Sequence, residues 1–102
     1  MKVTIQYFDG CPHWEVADER LRKVLSAGTG AAVEVEYQLI NSPEDAERIG
    51  FHGSPTILVD GRDPFVMGDE PVGLMCRVFR TEAGREGSPS EDQLRAVLIP
   101  NR

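Results

Sequence analysis

Val3, Ile5 and Tyr7 alternate with Thr4, Gln6 and Phe8, so both faces of this segment carry hydrophobic surface. A strand covered on both sides reads this way, which predicts a central β-strand at the start of the chain. The period then changes. Trp14, Ala17, Leu21, Val24 and Leu25 recur at helical spacing, with Glu15, Asp18, Glu19, Arg20, Arg22 and Lys23 on the other face, and a helix is expected. Pro12 suits its first position, where a missing N–H costs no hydrogen bond, and Gly28 or Gly30 should end it. Val33, Val35, Tyr37 and Leu39 then alternate with Glu34, Glu36 and Gln38. That pattern predicts a second strand with one wet face near a sheet edge.

Ser42-Pro43-Glu44-Asp45 offers a cap, a proline at the first helical position and acidic first-turn residues, predicting a short helix that stops before Gly50. Thr56 to Val59 is continuously apolar after its first residue and is closed by Asp60-Gly61, a third strand and its turn. Cys76 to Arg80 is expected to form a fourth strand, Thr81 to Pro89 a polar connection, and Ser90 with Gln93 opens a last helix through Leu94, Val97 and Leu98 that Pro100 ends. The predicted order is β-α-β-α-β-β-α, an α/β fold. Residues 62–75 form a longer connection than compact domains usually carry, either a functional flap or, as the length statistics favour, a packed surface loop.

With 102 residues, 40% hydrophobic and 27% charged, the chain is expected to form one domain over residues 1–102, large enough to bury a core without disulfide or metal support. A net charge of −6 argues against nucleic acid as the main partner, because phosphate neutralisation needs clustered Lys and Arg. No apolar run approaches a membrane span and the first residues move straight into a strand pattern, so a cytoplasmic protein without membrane attachment is expected, as a monomer or weak homodimer. The two cysteines, Cys11 and Cys76, form no Cys-x-x-Cys or Cys/His cluster, so no metal site is expected and both should be free thiols in a reducing cytosol.

The chemistry centres on Cys11. In Tyr7-Phe8-Asp9-Gly10-Cys11-Pro12-His13-Trp14 it lies between a strand and a helix. There, unpaired backbone N–H groups and the helix dipole stabilise a thiolate. The alternative is a small cysteine that only packs. Cys76 would share a strand face with Val78, and buried packing is expected for it rather than chemistry. His13 is expected to decorate the surface and Trp14 to join the core of the first helix. Asp9 should cap its turn rather than tune the thiol, and Arg77 and Arg80 should be solvated.

The element order, the cysteine at the first strand-to-helix junction and Gly53-Ser54-Pro55-Thr56 before the third strand resemble the thioredoxin and glutaredoxin family. The resemblance covers nearly the whole chain and is most specific over residues 49–61. It implies a thioredoxin-like three-layer sandwich around a four-stranded mixed sheet, with the third strand antiparallel to the first. It also implies a cis peptide bond between Ser54 and Pro55, facing Cys11 across a shallow groove. Backbone at such a corner pairs with an extended ligand by strand addition. Cys11 would then be the catalytic thiol and Pro12, His13, Trp14, His52, Ser54 and Pro55 would contact substrate, with His52 either a proton donor to a leaving thiol or a solvated loop residue.

The chain departs from the dithiol members at position 14, where Trp14 replaces the second cysteine. A mixed disulfide on Cys11 would need an external thiol, with glutathione as co-substrate in the manner of monothiol glutaredoxins, or else Cys76 as a second thiol. In the family topology the fourth strand starts at the far end of the sheet from the first helix, so direct exchange between Cys11 and Cys76 is expected to require movement. A shorter resemblance links Leu74-Met75-Cys76-Arg77-Val78-Phe79 to the segment of organomercurial lyases that carries a mercury-binding cysteine. Those enzymes combine two thiols with a carboxylate, for which Asp9 or Asp63 would have to serve. The expected function is thiol–disulfide exchange through Cys11, without a bound cofactor, on a protein disulfide or a small-molecule thiol. The alternatives are a module binding a peptide, thiol or soft metal, and alkylmercury cleavage.

Overall fold

The first strand, β1 (Lys2–Tyr7), is the central strand of its sheet, as expected, and is buried on both faces from Val3 to Gln6. The structure is a computed structural model, and it describes residues 1–28, 32–66, 68 and 70–99. On one side β1 pairs in parallel with β2 (Glu34–Leu39), Ile5 opposite Tyr37. On the other it pairs antiparallel with β3 (Thr56–Val59), Ile5 opposite Ile57. The sheet is therefore mixed and three-stranded in the order β2-β1-β3, not four-stranded as expected. The expected fourth strand is shorter and lies elsewhere: only its end, from Phe79, is extended, and β4 (Phe79–Thr81) pairs with β5 (Gly84–Glu86), within the expected polar connection, in a separate hairpin.

Among the described residues three helices complete the fold: α1 (His13–Ser26), α2 (Pro43–Ile49) and α3 (Glu91–Leu98). Val3 and Ile5 of β1 and Ile57 of β3 share one face and pack with Ala17, Leu21 and Val24 of α1 and Leu94 and Leu98 of α3. Full burial of a Leu or Ile contributes roughly 1.5–3 kcal/mol each, so this cluster dominates the stability of the fold. The opposite parity of β1 carries Thr4 and Gln6, and Gln6 donates from Nε2 to Gln38 Oε1 at 2.9 Å across the sheet. A second cluster of Ile40, Ala46 and Phe51, joined by Phe8, Ile49 and Leu74, seats α2.

The helix ends follow local chemistry. Ser42 caps α2 by accepting from Asp45 N, Gly50 closes it in the left-handed conformation, and Ser90 and Gln93 form the expected reciprocal capping box. In α1, Pro12 is the cap rather than the first helical residue, and the helix ends before Gly28. The other expected stops, Gly30 and Pro100, lie outside the described residues. Asp60 and Gly61 both adopt positive φ, and the Val59–Arg62 bridge closes this two-residue turn. At the sheet edge, Tyr37 is 42% and Leu39 43% exposed, so the face of β2 expected to be apolar and covered is largely open at this end. No helix among the described residues is long and apolar enough to cross a membrane.

Candidate functional site

Five residues, Phe8 to Pro12, turn the chain from β1 into α1. Cys11 N donates to Phe8 O at 3.2 Å across Asp9 and Gly10, and Pro12 caps the helix behind it. Cys11 thus stands just ahead of the helix start, as expected, and has no exposed surface. Facing it is the corner before β3, where the Ser54–Pro55 bond is cis and both residues are buried. The Cys11 thiol donates to Ser54 O at 3.4 Å.

The backbone of Ser54 is not open to a ligand. Ser54 N donates to Met75 O at 2.7 Å and Arg77 N donates to Ser54 O at 2.9 Å, so the protein's own Met75-Cys76-Arg77 segment pairs with this corner through one isolated parallel bridge. Gly53 makes that approach feasible. Its φ is +106°, and a Cβ there would stand 3.0 Å from Met75 O and 3.2 Å from Arg77 Cβ. The added segment carries Cys76 to Cys11. Cys76 donates to Cys11 Sγ, the sulfurs lying 3.1 Å apart. The expectation that the two thiols would be far apart is overturned, because Cys76 lies on a connection returning to the cis-proline corner rather than in a fourth sheet strand.

The inward and outward residues of this segment are also the reverse of those expected. Cys76 is exposed and Val78 is 58% exposed, whereas Arg77 between them is buried. Arg77 is held by an ion pair with Asp63 at 2.6 Å and a longer one with Glu70 at 3.8 Å. Its guanidinium also lies 4.6 Å from the ring centroid of Phe79. A buried guanidinium persists when paired, hydrogen-bonded and stacked, and all three conditions are met here. Together with the Gly73 N to Phe51 O bond, this ion pair fastens the described part of the connection, residues 62–66 and 70–75, against the domain. Met67 and Asp69 lie outside the described residues.

His52 is half-buried, its Nδ1 3.4 Å from Pro71 O. It lines a cavity of about 380 Å³ with Glu70, Met75, Cys76, Val78 and Arg85. Pro12 and His13 are exposed, and a side chain at Gly87 would overlap the His13 ring. Trp14 is not in the core. Half-buried, it stacks on Tyr7 with centroids 4.3 Å apart and meets Tyr37 edge-on at 6.4 Å. Asp9 and Arg80 are exposed, and Asp63 is tied to Arg77.

The hydrogen bond to Cys11, then burial and the charge of Cys11, push the Cys76 thiol up to about 11. A proton is therefore retained on Cys76, between the two sulfurs. Among the described residues no group of three or more His, Cys, Asp or Glu is placed to hold a metal ion. Comparison with known proteins adds no assignment: no family model, curated protein or solved structure matches the chain. Sequence reasoning missed Gly53, Asp63 with Arg77, and the return of Cys76 to the corner. The one available signal was the alternation of Met75, Arg77 and Phe79 against Cys76 and Val78, which the charge of Arg77 disguised.

Proposed function

We propose that this chain is a thiol–disulfide exchange protein of thioredoxin-like arrangement, working through Cys11 and Cys76 as a dithiol in the cytoplasm. The observation that carries this reading is the 3.1 Å separation of the two sulfurs at the cis-proline corner. A disulfide bond is about 2.05 Å long, so the sulfurs need to close by roughly 1 Å to bond. A soft cation held in line by two thiolates, with bonds of about 2.3 Å, would need them about 4.6 Å apart, an opening of roughly 1.5 Å. The smaller movement favours redox chemistry over metal capture.

Alkylmercury cleavage has weaker support: of its two candidate carboxylates, Asp63 is engaged by Arg77 at 2.6 Å and Asp9 is exposed to solvent. The missing second cysteine at position 14 is replaced in space by Cys76, so no external thiol is needed to resolve a mixed disulfide. Glutathione then serves as the reductant that returns the pair to its dithiol form. The experiment is the steady-state reduction of a small disulfide driven by glutathione, with wild type, Cys11→Ser and Cys76→Ser compared. The dithiol reading expects both variants to fall to the uncatalysed rate. Wild-type turnover in Cys76→Ser would replace it with a monothiol route.

A further inference from the structure

We propose that Cys76, rather than the helix-junction thiol Cys11, is the sulfur that meets the substrate, and that Arg85 selects small anionic disulfides and thiols for it. This inference rests on the dithiol reading of the same pair and assigns its two members different roles.

Attack on a disulfide requires the nucleophilic sulfur to approach along the S–S axis, which a sulfur without accessible surface cannot do. Cys11 has none. Its other approach, along the backbone of the cis-proline corner, is already occupied by Met75 and Arg77 through both main-chain groups of Ser54. Cys76 is exposed and opens into the cavity of about 380 Å³, a size that suits a small molecule. Arg85 also lines that cavity and has no ion-pair partner among the described residues, unlike Arg77 with Asp63 and Glu70. In a chain of net charge −6, an unpaired guanidinium beside the accessible thiol is the local feature that would attract an anion.

The step balances for the dithiol once one of its two protons has been given up to solvent, leaving one proton for the two sulfurs. Cys76 Sγ attacks one sulfur of the substrate disulfide while the proton of the pair passes to Cys11 Sγ. The substrate S–S bond breaks and the first thiolate departs. It takes the proton from Cys11, leaving as a thiol. Cys11 then attacks Cys76 Sγ, forms the intramolecular disulfide and expels the second substrate thiolate. One substrate disulfide is reduced and one protein dithiol oxidised.

The test is the stoichiometric first step, followed with the dianionic aromatic disulfide of nitrobenzoate and with the neutral dipyridyl disulfide, quenched in acid and mapped by peptide mass. Cys11→Ser should trap one equivalent on Cys76, whereas Cys76→Ser, with only the buried thiol, should react about tenfold more slowly or less. Early quenching of wild type should find the adduct on Cys76, which avoids reliance on either variant folding normally. Arg85→Gln should lower the ratio of anionic to neutral reaction rates about twofold to fivefold. An adduct on Cys11 in wild type would overturn the assignment while leaving the dithiol function standing, and an unchanged ratio in Arg85→Gln would remove the role of Arg85. If wild type forms adducts that never resolve to the intramolecular disulfide, the dithiol function itself fails.

Discussion

The framework of β1, β2, β3, α1 and α3 and the returning segment from Arg62 to Glu86 are held by different forces. Val3, Ile5, Leu21, Val24, Ile57 and Leu94 lock the framework through fully buried apolar contacts at regular period. The returning segment is fastened by the Arg77–Asp63 ion pair, two backbone hydrogen bonds to Ser54 and one glycine that lets it come near. Cys11 belongs to the first region and Cys76 to the second. The dithiol therefore joins a fixed sulfur to one whose position depends on a few polar contacts, and its chemistry can be altered without unfolding the framework.

That difference is open to direct attack. The largest effect should come from Arg77→Ala, which leaves Asp63 without its main partner and should cost about 3–5 kcal/mol by chemical denaturation. It should also abolish formation of the Cys11–Cys76 disulfide. Leu21→Ala should cost about 2–5 kcal/mol through the cavity it leaves, yet the folded fraction should still form the disulfide at the wild-type potential. If Leu21→Ala disturbs the pair as much as Arg77→Ala does, the two regions are not held separately.

Gly53→Ala is expected to cost about 1–3 kcal/mol, because φ there is +106° and the new Cβ would press on Met75 O and Arg77. Its signature should be slower disulfide formation, measured by thiol counting, with α1 and the sheet intact by circular dichroism. The smallest effect is in the titration of Cys76. Its thiol is raised to about 11, first by the hydrogen bond to Cys11. Alkylation of Cys76 should thus reach half-maximum near that pH and move down in Cys11→Ser. Because the folded value exceeds the unfolded one of about 8.5, the stability this proton confers is complete below pH ~8.5 and is lost as pH rises from there through the folded value. Denaturation midpoints over that window should fall more steeply for wild type than for Cys76→Ser.

Most of the framework was legible because its determinants are local. The two-faced alternation of β1, the Ser42 and Ser90 caps and the Asp60-Gly61 turn each reside in a few neighbouring residues and appear where expected. The returning segment was not, because its strands are three residues long and Arg77 faces inward against its ordinary preference. A charged residue buried by a carboxylate fourteen positions away leaves no periodic trace, and reading its neighbours Cys76 and Val78 as the inward face followed from that. The placement of Cys11 just ahead of the first helix and the cis bond before Pro55 were foreseen. The resemblance that suggested them supplied no place for Cys76, because in that topology the segment would be a sheet strand.

The central claim is that Cys11 and Cys76 act as one redox unit. Equilibration in glutathione buffers of graded potential, with the intramolecular disulfide counted by mass after acid quench and thiol labelling, tests it most directly. The account predicts a single two-electron transition, tenfold in the oxidised-to-reduced ratio per about 30 mV, joining Cys11 to Cys76 and absent from either serine variant. Two thiols that remain free, or that carry only separate glutathione adducts across the whole range, would contradict it.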